Sequence, residues 1–203
     1  MESNSKSSNW SRGRLLIDNI QSGCIKVDKA VETLCKACIA ELWDESTQSW
    51  VDNKYSGNGL YIEANKYLVA YVYQIPSYCV AFVSKVPRHK IMAEQYDSIE
   101  EKARVDKAMQ LCNNSIFFAN DYYLTLAKLE NTIKNAKENY DIQYVVIGNV
   151  YMETLISNPT VNVNPTANVI SYLKKFAKQY NIGIYTMIQR PNVELINGID
   201  FEL

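Results

Sequence analysis

The sequence predicts an α/β fold: a doubly wound, mainly parallel sheet with helices on both faces. Three observations predict it. Four short apolar runs, 78–83, 116–119, 142–147 and 182–188, are separated by segments whose apolar residues recur at helical spacing. The run 142–147 has almost no polar alternation, which marks a strand buried on both faces, as in a parallel sheet covered by helices. The order strand, helix, strand, helix, strand is that of successive crossover units.

Taken in order, residues 1–11 are rich in Ser and Asn with an acidic Glu2, and read as disordered. They lack the apolar stretch of a secretory signal. Leu15 to Ile17 is a short strand candidate. Residues 26–43 read as a helix, with Val27, Ala30, Val31, Leu34, Cys38 and Leu42 at helical spacing. Residues 44–59 are polar, contain Gly57 and Gly59, and read as a loop. Residues 60–73 read as a helix through Ile62, Ala64, Tyr67, Leu68, Tyr71 and Val72, stopped by Pro76. The apolar run 78–83 reads as a buried strand. Residues 91–112 read as one helix through Ile91, Ile99, Val105, Ala108 and Cys112. Thr125 caps a helix to Tyr140 whose face is Leu126, Leu129, Ile133 and Ala136. Asn164 and Pro165 open a last helix with a stripe of Val169, Ile170, Leu173, Phe176 and Ala177. The expected division is 1–45, a disordered start plus a linker-type helix, and 46–203, the sheet domain.

Composition narrows the function classes. The 203 residues suffice for one domain and an extension. The formal net charge is -1, so the Lys and Arg excess of a dedicated nucleic-acid binder is absent, and any such contact is local or shared among subunits. No run approaches the roughly 20 apolar residues that span a bilayer. Cys35 and Cys38 have metal or redox spacing, but a second ligand pair is missing, and buried thiols on a helix face fit better. The odd total of five cysteines, with no disulfide framework, suits a reducing compartment. His89 is the single histidine and sits between Arg88 and Lys90, which argues against a nucleophilic triad. Asp97, Glu100 and Glu101 read as a solvated helix face, and some of the fifteen tyrosines as base-stacking or interface residues.

The second half carries a more specific pattern: IFFAND (116–121), a helix ending KENYDIQ (137–143), YVVIGN (144–149), a long loop, and NVISYLKKFAKQYNIGIYTMIQR (168–190). From Ser115 to Arg190 it resembles the RecA-type ATPase domain of hexameric replicative helicases, in the form of the phage helicase-primases and mitochondrial Twinkle. The resemblance makes 144–149 the Walker B strand, with Gly148 in place of its Mg²⁺-orienting Asp and Asn149 after it. It makes Gln189 the phosphate sensor, and Arg190 a candidate nucleic-acid contact or a solvated surface residue.

Two segments fit the phosphate loop, which needs glycines for close backbone approach, a Lys for the β/γ-phosphates and a hydroxyl for Mg²⁺. Lys54–Tyr61 keeps Gly57 and Gly59 but has Leu60 and Tyr61 where Lys and Ser/Thr belong. Ile20–Val27 keeps Lys26 but has Ile25 and Val27 in place of glycine and hydroxyl. The first fits the expected distances better. It puts the catalytic Glu after the strand 78–83, where Ser84, Lys85 and Val86 offer no acid. The nucleotide-site remnant is then Gly57, Gly59 and Gln189.

The resemblance thus implies a degenerate RecA-like domain in 46–203, truncated at its C-terminal end relative to that family, that has lost ATP hydrolysis, holds no cofactor or metal, and serves as an interaction or structural subunit. Its partners would be protein subunits of a DNA-maintenance or larger mitochondrial assembly. Nucleic acid, through 151–166 and 191–203, is the weaker partner, since neither segment contains Lys or Arg. The alternatives are a divergent ATP-dependent DNA helicase that uses Lys26 or a partner subunit's residues, and a single-stranded nucleic-acid binding module without ATPase activity. The linker helix would dock on a neighbouring subunit, and strand 182–188 would stand at an open sheet edge.

Overall fold

Side-chain alternation on the central strands decides the layering of this protein. Leu60, Ile62, Val145, Ile147 and Ile184 enter one core, and their neighbours Tyr61, Tyr144, Val146 and Tyr185 enter another on the opposite face. A sheet apolar on both faces must be covered on both. The computed structural model describes residues 12, 15–20, 27–53, 57–63, 74–120, 125–150 and 165–189.

Its elements are β1 (Leu15–Ile20), α1 (Val27–Cys38), β2 (Glu41–Asp44), β3 (Ser49–Asp52), β4 (Asn58–Glu63), α2 (Ile75–Ser84), α3 (Arg88–Ala93), α4 (Ile99–Ser115), β5 (Ile116–Asn120), α5 (Leu126–Tyr140), β6 (Ile142–Val150), α6 (Pro165–Gln179) and β7 (Gly183–Gln189). Five strands form one sheet in the order β1-β7-β6-β4-β5. Every pairing in it is parallel. Helices α1 to α4 supply the core on one face, and α5 and α6 the core on the other.

The doubly wound parallel sheet is as the sequence predicts, with strands at 116–119, 142–147 and 182–188. Helix α5 also begins where expected, with the Thr125 side chain accepting a hydrogen bond from the Lys128 backbone N–H at 3.2 Å. The expected cap Asn164 lies outside the described residues, as do residues 1–11.

Several expectations are corrected. The run 78–83 is not a strand but the body of helix α2. Pro76 sits in its first turn, where a missing N–H costs no hydrogen bond. Ile75, Cys79, Val80 and Val83 are buried, at spacings that share one side of a helix. Residues 58–63, expected as loop and helix, form β4 between β6 and β5. The stretch 44–59 is not simply loop: β2 and β3 pair as a hairpin, with Trp43 opposite Trp50 and their rings 5.7 Å apart. Helix 91–112 is two helices, parted at Glu94, whose φ of 53° closes α3, and restarted at the cap Ser98.

The described residues on the N-terminal side of the expected division at residue 45 pack with the sheet. β1 pairs with β7 inside the sheet, and α1 buries Val31, Leu34 and Cys38 in the same core as Tyr61, Val146 and Tyr185. The stripe assigned to docking on a neighbour is therefore covered by the chain's own sheet. β7 lies between β1 and β6, so it is not an edge; β1 and β5 are the edges.

Candidate functional site

Because the five strands are parallel, their carboxyl ends share one edge, where open α/β sheets hold ligands. Pairing register sets out what stands there. Ile20 ends β1 opposite Gln189 of β7. Ile188 is opposite Val150 of β6. Gly148 is opposite Glu63, the last residue of β4, and Glu63 is opposite Asn120, the last of β5. The edge therefore reads Ile20, Gln189, Gly148 to Val150, Glu63, Asn120. Arg190 follows Gln189 in sequence and lies outside the described residues.

This geometry reverses the preference between the two phosphate-loop placements. A phosphate loop runs from the carboxyl end of a strand into a helix. Ile20–Val27 does so, from the last residue of β1 to the first of α1, with Lys26 immediately before the helix in sequence. Lys54–Tyr61 instead runs into β4 at its amino end, the end away from the ligand edge. Gly59 has a different reason to be glycine. A Cβ there would overlap Cys38 Sγ and stand 2.8 Å from Leu34 Cδ1, so α1 can lie on β4 in this way only if residue 59 has no side chain. A Cβ at Gly57 would meet Gln143 Oε1 at 2.7 Å. Neither glycine serves the carboxyl edge.

No acid stands after 78–83, because that segment is no strand. Ser84 ends a helix, its hydroxyl donating to the Val80 carbonyl at 2.7 Å, and Val86 is buried behind it. Among the described residues, the acid at the carboxyl end of a sheet strand is Glu63. Sequence reasoning misses it by reading 60–73 as a helix; the signal is the apolar Leu60-Tyr61-Ile62 ending in Glu.

The Mg²⁺ that the helicase resemblance implies does not fit the described residues. Gly148, toward the end of β6, offers no carboxylate. Val27, at the hydroxyl position, is apolar and buried in the core with Val31 and Leu34.

The structure brings Cys35 and Cys38 together with Cys79 of α2 and Cys112 of α4. All four are free and buried. Burial pushes the thiols of Cys35, Cys38 and Cys112 up, and Cys79 beside them adds to the effect. Protonated, buried thiols are poor nucleophiles and ligands. Among the described residues no group of three or more His, Cys, Asp or Glu is placed to hold a metal ion. The acidic cluster is a helix start: Ser98 accepts from the Glu101 N–H at 3.1 Å, Glu101 accepts from the Asp97 N–H at 2.7 Å, and Lys90 pairs with both acids. His89 is exposed on α3. Tyr61, Tyr144 and Tyr185 are core residues.

No family model and no curated protein matches the sequence. Solved structures do match the fold. One is a DnaB-like replicative helicase, described with its interactions with primase: TM-score 0.60, 14% identity, 89% of this chain and 39% of that one. Another is a solved ATPase domain: TM-score 0.60, 13% identity, 90% of this chain and 59% of that one. The fold is RecA-like. The chain spans less than two thirds of either neighbour, and identities this low speak to fold alone. No helix among the described residues is long and apolar enough to cross a membrane.

Proposed function

We propose that this chain is a helicase-like domain that does not hydrolyse ATP and acts as an interaction or structural subunit, in DNA maintenance or a larger mitochondrial assembly. The observation that carries the reading is Gly148. It stands at the carboxyl end of the central strand β6, on the ligand edge, and phosphoryl transfer in such domains rests on positioned charge and metal rather than on covalent chemistry. A glycine there supplies neither. The mitochondrial setting comes from the resemblance to Twinkle.

The second reading, a divergent ATP-dependent helicase, is favoured by a different observation: Lys26 lies between β1 and α1 in sequence, and Glu63 ends β4 beside Gly148. On this reading Lys26 would serve phosphate binding and Glu63 water activation. This reading requires turnover that depends on both residues.

Purification of the native complex tests the subunit role. The proposal expects the chain to co-purify in fixed stoichiometry with other proteins. Recovery of the chain alone from gently lysed cells would contradict it.

A further inference from the structure

Lysines on three of the helices have an acid four residues away to pair with. On α1 Lys36 pairs with Glu32, and on α4 Lys102 pairs with Asp106. On α5 Lys134 pairs with Glu138, and Lys137 with Asp141 just past the helix end. Helix α6 departs from this pattern. It carries Lys174, Lys175 and Lys178 and contains no Asp or Glu. All three lysines are exposed, and none has an ion pair or hydrogen bond among the described residues. The helix dipole favours Lys178, in the last turn, but Lys174 and Lys175 lie before it.

Spacing puts the three on one side of the helix. Leu173, Phe176 and Ala177 enter the core, so the outer arc sets Tyr172 beside Lys175 and Lys174 beside Lys178, at spacings of three and four. Tyr172 is 46% exposed, with its ring 6.2 Å from that of Phe176. Like charges this close repel one another unless an anion lies across them. Helix α6 leads from the carboxyl end of β6 back to the amino end of β7, so its lysine-bearing half lies away from the ligand edge.

We propose that this face of α6 binds single-stranded nucleic acid, with phosphates on Lys174, Lys175 and Lys178 and a base stacked on Tyr172. Lysine contacts to phosphate supply the sequence-independent part of such affinity, and an exposed aromatic ring takes a base of any identity. Other polyanions fit less well. Protein interfaces are depleted in lysine, and an anionic membrane calls for about four or more basic residues on one helix. The net charge of -1 is no obstacle, because the positive charge is local and unpaired. The surface is separate from the carboxyl edge and does not depend on whether the domain hydrolyses ATP.

Fluorescence anisotropy of a labelled oligothymidylate, titrated with the purified full-length chain at several salt concentrations, tests it. The logarithm of affinity should fall with the logarithm of salt at a slope of about -2, the value for about three phosphates of a single strand. The triple variant Lys174→Gln/Lys175→Gln/Lys178→Gln, changed only at exposed positions, should lose at least about tenfold in affinity at low salt and most of the slope. Tyr172→Ala should weaken single-strand binding roughly tenfold and leave binding of the matching duplex unchanged, since paired bases are not free to stack on it. Circular dichroism establishes that each variant is folded. An unmodified chain that does not bind, or a triple variant with unchanged affinity and slope, overturns the proposal. Tyr172→Ala binding the single strand like the unmodified chain overturns the single-strand assignment. Capture of polyglutamate or of phosphatidylserine vesicles in place of the oligonucleotide would overturn it in favour of a protein or membrane partner.

Discussion

Val146→Asp is expected to unfold the domain at ordinary temperature. Val146 is on β6, the central strand, paired with Tyr61 of β4 and Tyr185 of β7. It is fully buried beneath the helices of the α1 face. An aspartate there must either ionise in an apolar interior or hold a proton at neutral pH, and it leaves its oxygens without donors either way. The loss should exceed about 4 kcal/mol, a large part of the stability of a domain of this size. Denaturant or thermal unfolding followed by circular dichroism measures it. A soluble variant that melts with the unmodified protein would mean that β6 is not covered on this face.

Gly59→Ala is the second large effect, and its sign separates two meanings of the same glycine. A phosphate-loop glycine would affect ligand binding with little change in stability. The contact distances predict a packing role instead, because the added methyl would overlap Cys38 Sγ and press on Leu34 Cδ1. Overpacking of this kind costs about 1–3 kcal/mol. Cys38→Ala removes the nearer obstacle while leaving a helix-compatible residue. The double variant Gly59→Ala/Cys38→Ala should therefore lose clearly less than the sum of the two single changes. Additive losses would show that residue 59 does not meet α1 as described.

Much of the sheet is legible in the sequence because β6 and β7 obey simple rules. Val145, Val146 and Ile147 in succession can be satisfied only by two apolar layers, and Gly183 to Thr186 read the same way. Helix α5 is legible through its cap and its regular stripe. What fails is the choice of period in short apolar runs. Tyr78 to Val83 has the β-branched and aromatic residues of a strand, yet it is a helix packed among α1 and α4, and a helix buried on most sides shows no polar alternation either. Leu60 to Ile62 fails in the opposite sense. Followed by Ala64, Tyr67, Leu68 and Tyr71, these residues read as the start of a helical stripe, although residues 58–63 are a strand.

Those two exchanges carry the site with them. With α2 read as a strand, an acid is looked for after Val83, and Glu63 at the carboxyl end of β4 is passed over. With β4 read as a helix, Gly57 and Gly59 look like a phosphate loop. The departure at Gly148 is legible because β6 is. The thiol cluster is not, since only the packing of α1, α2 and α4 brings Cys79 and Cys112 to Cys35 and Cys38.

Steady-state ATP turnover by the pure full-length chain, with Mg²⁺ and with or without single-stranded DNA, tests the central claim most directly. With Gly148 toward the end of β6 and Val27 buried at the start of α1, the two protein groups that would hold the metal are missing, and the rate should fall by many powers of ten, to the level of buffer. Turnover above buffer that disappears in both Lys26→Ala and Glu63→Gln would contradict the account and establish the divergent motor in its place.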